Sequence, residues 1–180
     1  DNPPTSIRLH RAFSWLAIAE PDGQATDLVL IGLWVAFNAL YGRWDSVRRE
    51  PMPDRECFRL FLDRILSLDA EDRLGRLLQE QKDRVMGILD NEYVSEFFWE
   101  DPSDRQASKS KKARFDARTW YLEARWGLIL DRLIERIYVL RCQLIHGAAT
   151  FGGSLNRTSL ERCVQIMRLL MQAVLLVVID

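Results

Sequence analysis

Leu28-Val29-Leu30-Ile31-Gly32-Leu33-Trp34-Val35-Ala36-Phe37-Asn38-Ala39-Leu40-Tyr41 leaves almost no polar face at any helical register. A helix that is apolar all round lies in the middle of a bundle, because a surface helix keeps a polar side. The stretch therefore predicts a central helix from about Thr26 to Trp44. Asn38 is the exception inside it. A buried amide left without partners costs roughly 1–3 kcal/mol per unsatisfied group. Asn38 must tie two helices together or face a polar site.

The rest of the chain supplies helices to surround it. Thr5 or Ser6 caps a first helix that runs to about Glu20, where Pro21-Asp22-Gly23 stops it. Arg43 to Pro53 is a polar loop. Asp54 caps a third helix with Phe58, Phe61, Leu62, Ile65 and Leu66 at helical spacing. Asp69, with Asp72 three residues on, caps a fourth whose stripe continues from Leu74 to Leu89. Glu92 to Trp99 forms a short helix, and Asp101 to about Ala113 is the one clear loop. A long fifth helix follows from about Phe115 to His146, with Gly127 marking a kink and Gly147 at the C′ position. Thr158-Ser159-Leu160-Glu161 is a capping box that opens the last helix. Few stretches alternate with period two, so the expected fold is an all-α bundle of about five to seven helices in a single domain, residues 1–180.

Bulk properties exclude several functions. A net charge of −1 rules out a molecule that binds nucleic acid over its whole surface, so any such binding comes from a local patch. Cys57, Cys142 and Cys163 have no metal-like spacing and sit in apolar contexts, which suits thiols in a reducing, cytoplasmic compartment. The opening Asp1-Asn2-Pro3-Pro4 has no initiator Met and no leader pattern, as expected of an excised piece of a longer protein. The apolar run Leu169 to Ile179 is shorter than the ~20 residues that cross a bilayer. It reads as a core helix, and no membrane partner is expected.

The candidate chemistry lies in Ile137-Tyr138-Val139-Leu140-Arg141-Cys142-Gln143-Leu144-Ile145-His146-Gly147. On a wheel of ~100° per residue, Arg141 falls within an apolar stripe. Asp131, Arg132, Glu135 and Arg136 form the opposite face, with His146 toward that side. A buried guanidinium needs a carboxylate, a set of carbonyls or a bound phosphate. Regular helix places Arg141 and His146 about 140° apart. They can act together only if the final turn opens around Leu144 to Gly147, or if they meet across an interface between two copies. Metal-free RNA cleavage needs a base for the 2′-hydroxyl, an acid for the leaving oxygen and a cation for the phosphorane. A symmetric dimer would bring two His and two Arg to one cleft. The competing account is structural: a histidine favoured by the helix dipole, and an arginine anchored to a carboxylate of another helix.

From Arg105 to Arg118 there are six basic residues and one acid. With Lys109, Lys111 and Lys112 at its centre, this is an arm for phosphates or simply a solvated loop. His10 reads as a partly exposed helix residue. Trp34, Phe37, Tyr41, Trp120 and Trp126 read as core. No P-loop, H-E-x-x-H or paired-Cys zinc pattern is present, so no metal and no cofactor is expected.

The Arg141 to Gly147 segment resembles the R-x4-6-H motif of the HEPN superfamily. Leu33-Trp34-Val35-Ala36-Phe37-Asn38-Ala39-Leu40-Tyr41-Gly42 resembles the W-x-A-F-N-A-L-Y helix of its ApeA-like branch, and Leu9-His10-Arg11-Ala12-Phe13-Ser14-Trp15-Leu16 fits that branch too. The resemblance implies a dimeric helical bundle with metal-independent endoribonuclease activity in toxin–antitoxin or anti-phage systems. By carry-over Arg141 would hold the scissile phosphate and His146 would be the acid and base. The position after the arginine, commonly polar in active members, is Cys142 here, with Gln143 next as its substitute. Asn38, Tyr41 and Gln143 would support the cleft. Expected partners are RNA, a second copy, and an antitoxin or additional domain. The superfamily also holds members that only bind nucleotides, RNA or proteins. The alternative is thus a non-catalytic HEPN module for dimerisation and RNA or nucleotide binding within a larger defence or regulatory protein.

Overall fold

The structure, a computed structural model, describes residues 4–19, 23–91, 94, 115–154 and 156–180. The central helix is α2 (Thr26–Tyr41), with ten of its sixteen residues buried. Around it stand α1 (Thr5–Ala19), α3 (Asp54–Leu68), α4 (Arg73–Glu80), α5 (Lys82–Leu89), α6 (115–122), α7 (Trp126–Ile145) and α8 (Arg157–Ile179). The expected all-α bundle is thus the observed class. α1 lies along α2, and Gly32 lets them close: a Cβ there would stand 3.3 Å from Ala19 Cβ. α8 packs on α2, α4 and α5, while α3 packs on α7. Trp34, Phe37, Phe58, Leu74, Ile129 and Leu133 are among the side chains that fill the centre.

Several boundaries differ from the sequence expectations, each for a local reason. α2 stops at Tyr41, because Gly42 leaves the helix and Arg8 Nη1 donates to Leu40 O at 2.8 Å and Gly42 O at 2.9 Å. A cation on the last carbonyls satisfies groups that have no partner within the helix. The expected polar loop holds a small antiparallel hairpin, β1 (Trp44–Asp45) with β2 (Glu50–Pro51). Asp45 Oδ1 accepts from Val47 N at 2.9 Å and Arg48 N at 3.0 Å, which tightens the turn. The stripe from Leu74 to Leu89 bends at Gln81 and forms two helices. Asp69 still caps the first of them, accepting from Arg73 N at 2.9 Å and Leu74 N at 2.8 Å.

The long fifth helix is broken before Gly127, not at it. Ala124 takes a left-handed φ of 51°, separating α6 from α7. Two docked aromatics flank the corner: Tyr121 donates to Leu78 O at 3.1 Å, and Trp126 meets the Tyr121 ring at 6.0 Å. The Thr158–Glu161 capping box does not form. α8 begins at Arg157 behind a left-handed Asn156, and the Ser159 hydroxyl accepts from Asn91 Nδ2 at 2.5 Å. α8 nonetheless begins within a residue of the helix expected from Thr158. By length and composition it could cross a membrane, but 56% of its most apolar window is buried in the bundle.

Cys163 of α8 lies at the centre of this packing, and burial pushes its thiol up to about 12. An unfolded thiol ionises near pH 8.5. Between roughly 8.5 and 12 the unfolded chain therefore binds fewer protons than the folded one, and stability falls as pH rises. Burial moves Tyr41 and Tyr121 in the same direction. Melting temperature should decline from about pH 8 to 11, less steeply in Cys163→Ala. Equal slopes in the two proteins would remove Cys163 from the account.

Candidate functional site

Arg141 lies near the C-terminus of α7, with 19% of its side chain exposed. Three elements hold its guanidinium. Trp34 of α2 and Tyr138 of α7 each place a ring centroid 5.8 Å from Cζ. Asp54 of α3 brings Oδ2 to 3.9 Å of Nη2, an ion pair longer than a hydrogen bond. Cys142 Sγ lies 3.7 Å from Nη1. Arg141 Nε is buried without a hydrogen-bond partner among the described residues. This is a guanidinium fixed by aromatic faces and one distant carboxylate, with donor capacity left over.

Asp54 links Arg141 to a second candidate. Tyr41 donates to Asp54 Oδ1 at 3.4 Å, and its ring packs against Phe37, Phe58 and Phe61. Burial first, then the Asp54 charge, raise the Tyr41 phenol far above its ordinary range, so it stays a proton donor. The sequence places Asp54 at the cap of α3. It is instead the first residue of that helix, with Pro53 at the cap position and no side-chain cap bond. Its carboxylate is aimed at the site.

The remaining candidates divide. Asn38 is half-buried one turn before the end of α2, and its Oδ1 lies so close to Gly42 that a Cβ there would stand 2.7 Å away. Gln143 is buried, and its carbonyl accepts from Ala148 N at 2.9 Å and Ala149 N at 3.1 Å, closing the end of α7. Lys109, Lys111 and Lys112 lie outside the described residues, as does the 92–99 segment apart from Val94. His10 is exposed on α1.

His146 is exposed at the C-cap of α7, and its backbone N still donates to Cys142 O at 2.9 Å. The final turn therefore does not open, and Arg141 and His146 of one chain stay on different sides of a regular helix. Gly147 follows with φ +72° and nothing within 4 Å of its Cβ position. Together with the Ala148-to-Gln143 bond this is the left-handed helix ending expected at C′. Gly147→Ala meets no clash, only the backbone penalty, and should cost about 1 kcal/mol by chemical denaturation. A loss near zero would mean the helix end rearranges.

Sequence reasoning missed Asp54, Arg55 and Tyr138 as neighbours of Arg141. Arg55 lies 5.3 Å from the Tyr138 ring centroid. The demand for a carboxylate near Arg141 was legible; which one was not, since α3 and α7 meet only in the fold. The wheel also misplaced two charges. Glu135 and Arg136 are buried at 6% and 4% exposure. Arg132 Nη1 meets Glu135 Oε2 at 2.6 Å, and Arg136 Nη1 reaches Asn91 O at 3.5 Å. Among the described residues no group of three or more His, Cys, Asp or Glu side chains is gathered for a metal ion.

Comparison of the chain with protein-family models, characterised proteins and solved structures finds no match.

Proposed function

We propose that this chain is a HEPN-like, metal-independent endoribonuclease that works as a homodimer. Arg141 of one copy and His146 of the other would form each composite site. One observation carries this reading. α7 stays regular to its end, so the part-exposed guanidinium of Arg141 and the exposed imidazole of His146 are offered on different sides of one helix. Only a second copy can bring such a pair to one phosphate.

In this scheme a His146 imidazole takes the proton of the 2′-hydroxyl. The 2′-oxygen attacks phosphorus, Arg141 balances the charge of the phosphorane, and the 5′-oxygen leaves with the proton that the same imidazole has taken up. The products are a 2′,3′-cyclic phosphate and a 5′-hydroxyl. Trp34, Tyr138 and Asp54 hold the Arg141 fork; Tyr41 holds Asp54. Three unpaired cysteines support a reducing, cytoplasmic setting. The likeness of the two motifs supports a toxin–antitoxin or anti-phage role, with an antitoxin or further domain as partner.

The 3.9 Å Asp54–Arg141 pair favours one alternative, because a carboxylate beside the guanidinium competes with phosphate. That alternative is the non-catalytic module for dimerisation and RNA or nucleotide binding. The test is cleavage of a mixed RNA pool in EDTA by wild type, Arg141→Ala and His146→Ala, each checked for folding. Cyclic phosphate ends made by wild type alone support the nuclease. RNA bound but left uncut by every protein supports the binding module.

A further inference from the structure

Gly42 ends α2, and the chain turns straight into the β1–β2 hairpin. The hairpin is short but held at both ends. Met52 N donates to Arg43 O at 3.0 Å at its root, and Asp45 Oδ1 takes the Val47 and Arg48 amides at its tip. Trp44 lies in the first strand opposite Pro51 and is 57% exposed. Its ring meets no other ring and no cation among the described residues. Leaving so large a ring in water forgoes burial worth roughly 25 cal/mol per Å² of apolar surface. An indole presented on a fixed strand can take a flat partner on its face.

The ground beside the ring is cationic. Arg43 and Arg11 are exposed, and among the described residues neither makes an ion pair or a side-chain hydrogen bond. Arg8 is pinned to the hairpin root through Leu40 O and Gly42 O. Burial first, then Arg43 and Arg11, lower its pKa, so both stand within Coulomb range of it. The carboxylates nearby are engaged elsewhere or stand unpaired with these two arginines. Asp45 is taken by the turn amides and by Arg48 at 3.7 Å, and Asp54 by Tyr41 and Arg141. Glu50, across the ladder from Asp45, and Glu56, in the first turn of α3, are exposed and pair with neither.

An open indole beside unpaired guanidiniums selects among ligands. A second copy docking by a two-fold axis would bring Arg43 and Arg11 against the same face of its partner, where like charges repel. An apolar helix would strip water from them. A single-stranded polynucleotide meets neither cost, since it brings bases for the indole and phosphates for the guanidiniums. Bases within a duplex are already stacked, so the strand is unpaired. The hairpin also stands beside the candidate site: Asp54, which pairs with Arg141, follows Met52 by two residues, roughly 7 Å of extended chain.

We infer that the β1–β2 hairpin is a base-stacking clamp for single-stranded RNA, in which Trp44 stacks one unpaired base and Arg43 takes a phosphate beside it. The inference rests on RNA being the ligand of the Arg141–His146 end.

The test is binding of a labelled 2′-O-methyl oligouridylate to the full chain in EDTA, the methyl groups blocking cleavage. Trp44→Ala, Trp44→Phe and Arg43→Gln are compared with wild type, and thermal unfolding checks each fold. Arg76→Gln, exposed on α4, is the control and should match wild type. Trp44→Ala should weaken binding about 5- to 150-fold, the loss of one base–aromatic stack, with an unchanged slope of log affinity against log salt. Trp44→Phe keeps a ring and should recover most of that affinity. Arg43→Gln should shrink the salt slope by about 0.7, the change for one single-strand phosphate no longer neutralised. An oligomer of abasic residues should bind wild type and Trp44→Ala equally.

Equal binding of the oligouridylate by wild type and Trp44→Ala overturns the clamp; if wild type still cuts RNA, the nuclease proposal stands without it. A loss in Trp44→Ala that the abasic oligomer shows as strongly, or that comes with a change in oligomeric state, also overturns it. If the stack is lost as expected and nothing cuts, the clamp stands with the binding module. A wild type that binds no RNA at any salt overturns both.

Discussion

Alanine at His146 should slow RNA cleavage by about 10²–10⁴-fold, the usual loss when a positioned acid or base is removed. Its fold should be unaffected, because the imidazole is exposed at the end of α7 and its backbone bond to Cys142 remains. Arg141→Ala should lose about 10²–10³-fold through the phosphorane charge. Arg141→Lys should recover little, since an ammonium keeps the charge but not the fork. The composite geometry adds a sharper result. Each variant alone lacks a complete site, but a mixed dimer rebuilds one from the Arg141 of one copy and the His146 of the other. Equal mixing, with half the dimers mixed and one of two sites intact, should restore about a quarter of wild-type activity. Complementation of that size cannot arise if both residues act within one chain. Two dead variants that stay dead after subunit exchange would sink the composite site.

Trp34→Ala should be the most destabilising of the substitutions considered. Trp34 is 1% exposed and meets Phe37 and Tyr138 at 5.7 Å and Phe58 at 6.3 Å between ring centroids. Truncation of a buried aromatic costs about 3–5 kcal/mol. For a domain of this size that corresponds to a fall in Tm of roughly 6–20 °C. The same substitution strips one aromatic face from Arg141, so RNA affinity should fall even at temperatures where the variant is folded. Trp34→Phe separates the two effects. The Trp34 indole N–H is buried without a hydrogen-bond partner among the described residues, so phenylalanine removes an orphan donor along with some volume. Its stability should lie much closer to wild type, because relief of an unsatisfied donor, about 1–3 kcal/mol, offsets the smaller cavity. A Trp34→Phe as unstable as Trp34→Ala would show that shape, not ring burial, dominates at this position.

Much of the bundle was legible from periodicity. The central helix announced itself because no polar side chain interrupts it except Asn38, and Gly147 marked the end of α7 because a left-handed residue is needed there. Asp69 was legible as a cap because its partners are local. The failures share a cause. The Thr158–Glu161 pattern satisfies a local rule, yet the left-handed Asn156 starts the helix at Arg157 and leaves Thr158 inside it, where it cannot cap. Gly127 looked like the weak point of a long helix. The break fell at Ala124 because Tyr121 and Trp126 dock on the fold around it.

The candidate site shows the same division. Sequence alone determined that a long helix ends in Arg141 and His146, that about 140° of regular helix separates them, and that a buried arginine requires help from elsewhere. Those are consequences of 3.6-residue periodicity and of the desolvation of charge, which act along the chain. Tertiary structure decided which groups help: Trp34 from α2, Asp54 from α3, Tyr138 from α7 itself. It also decided that Glu135, polar by every local rule, is buried beneath three arginines. Electrostatic pairing acts through space between helices, so only their packing could choose the partners.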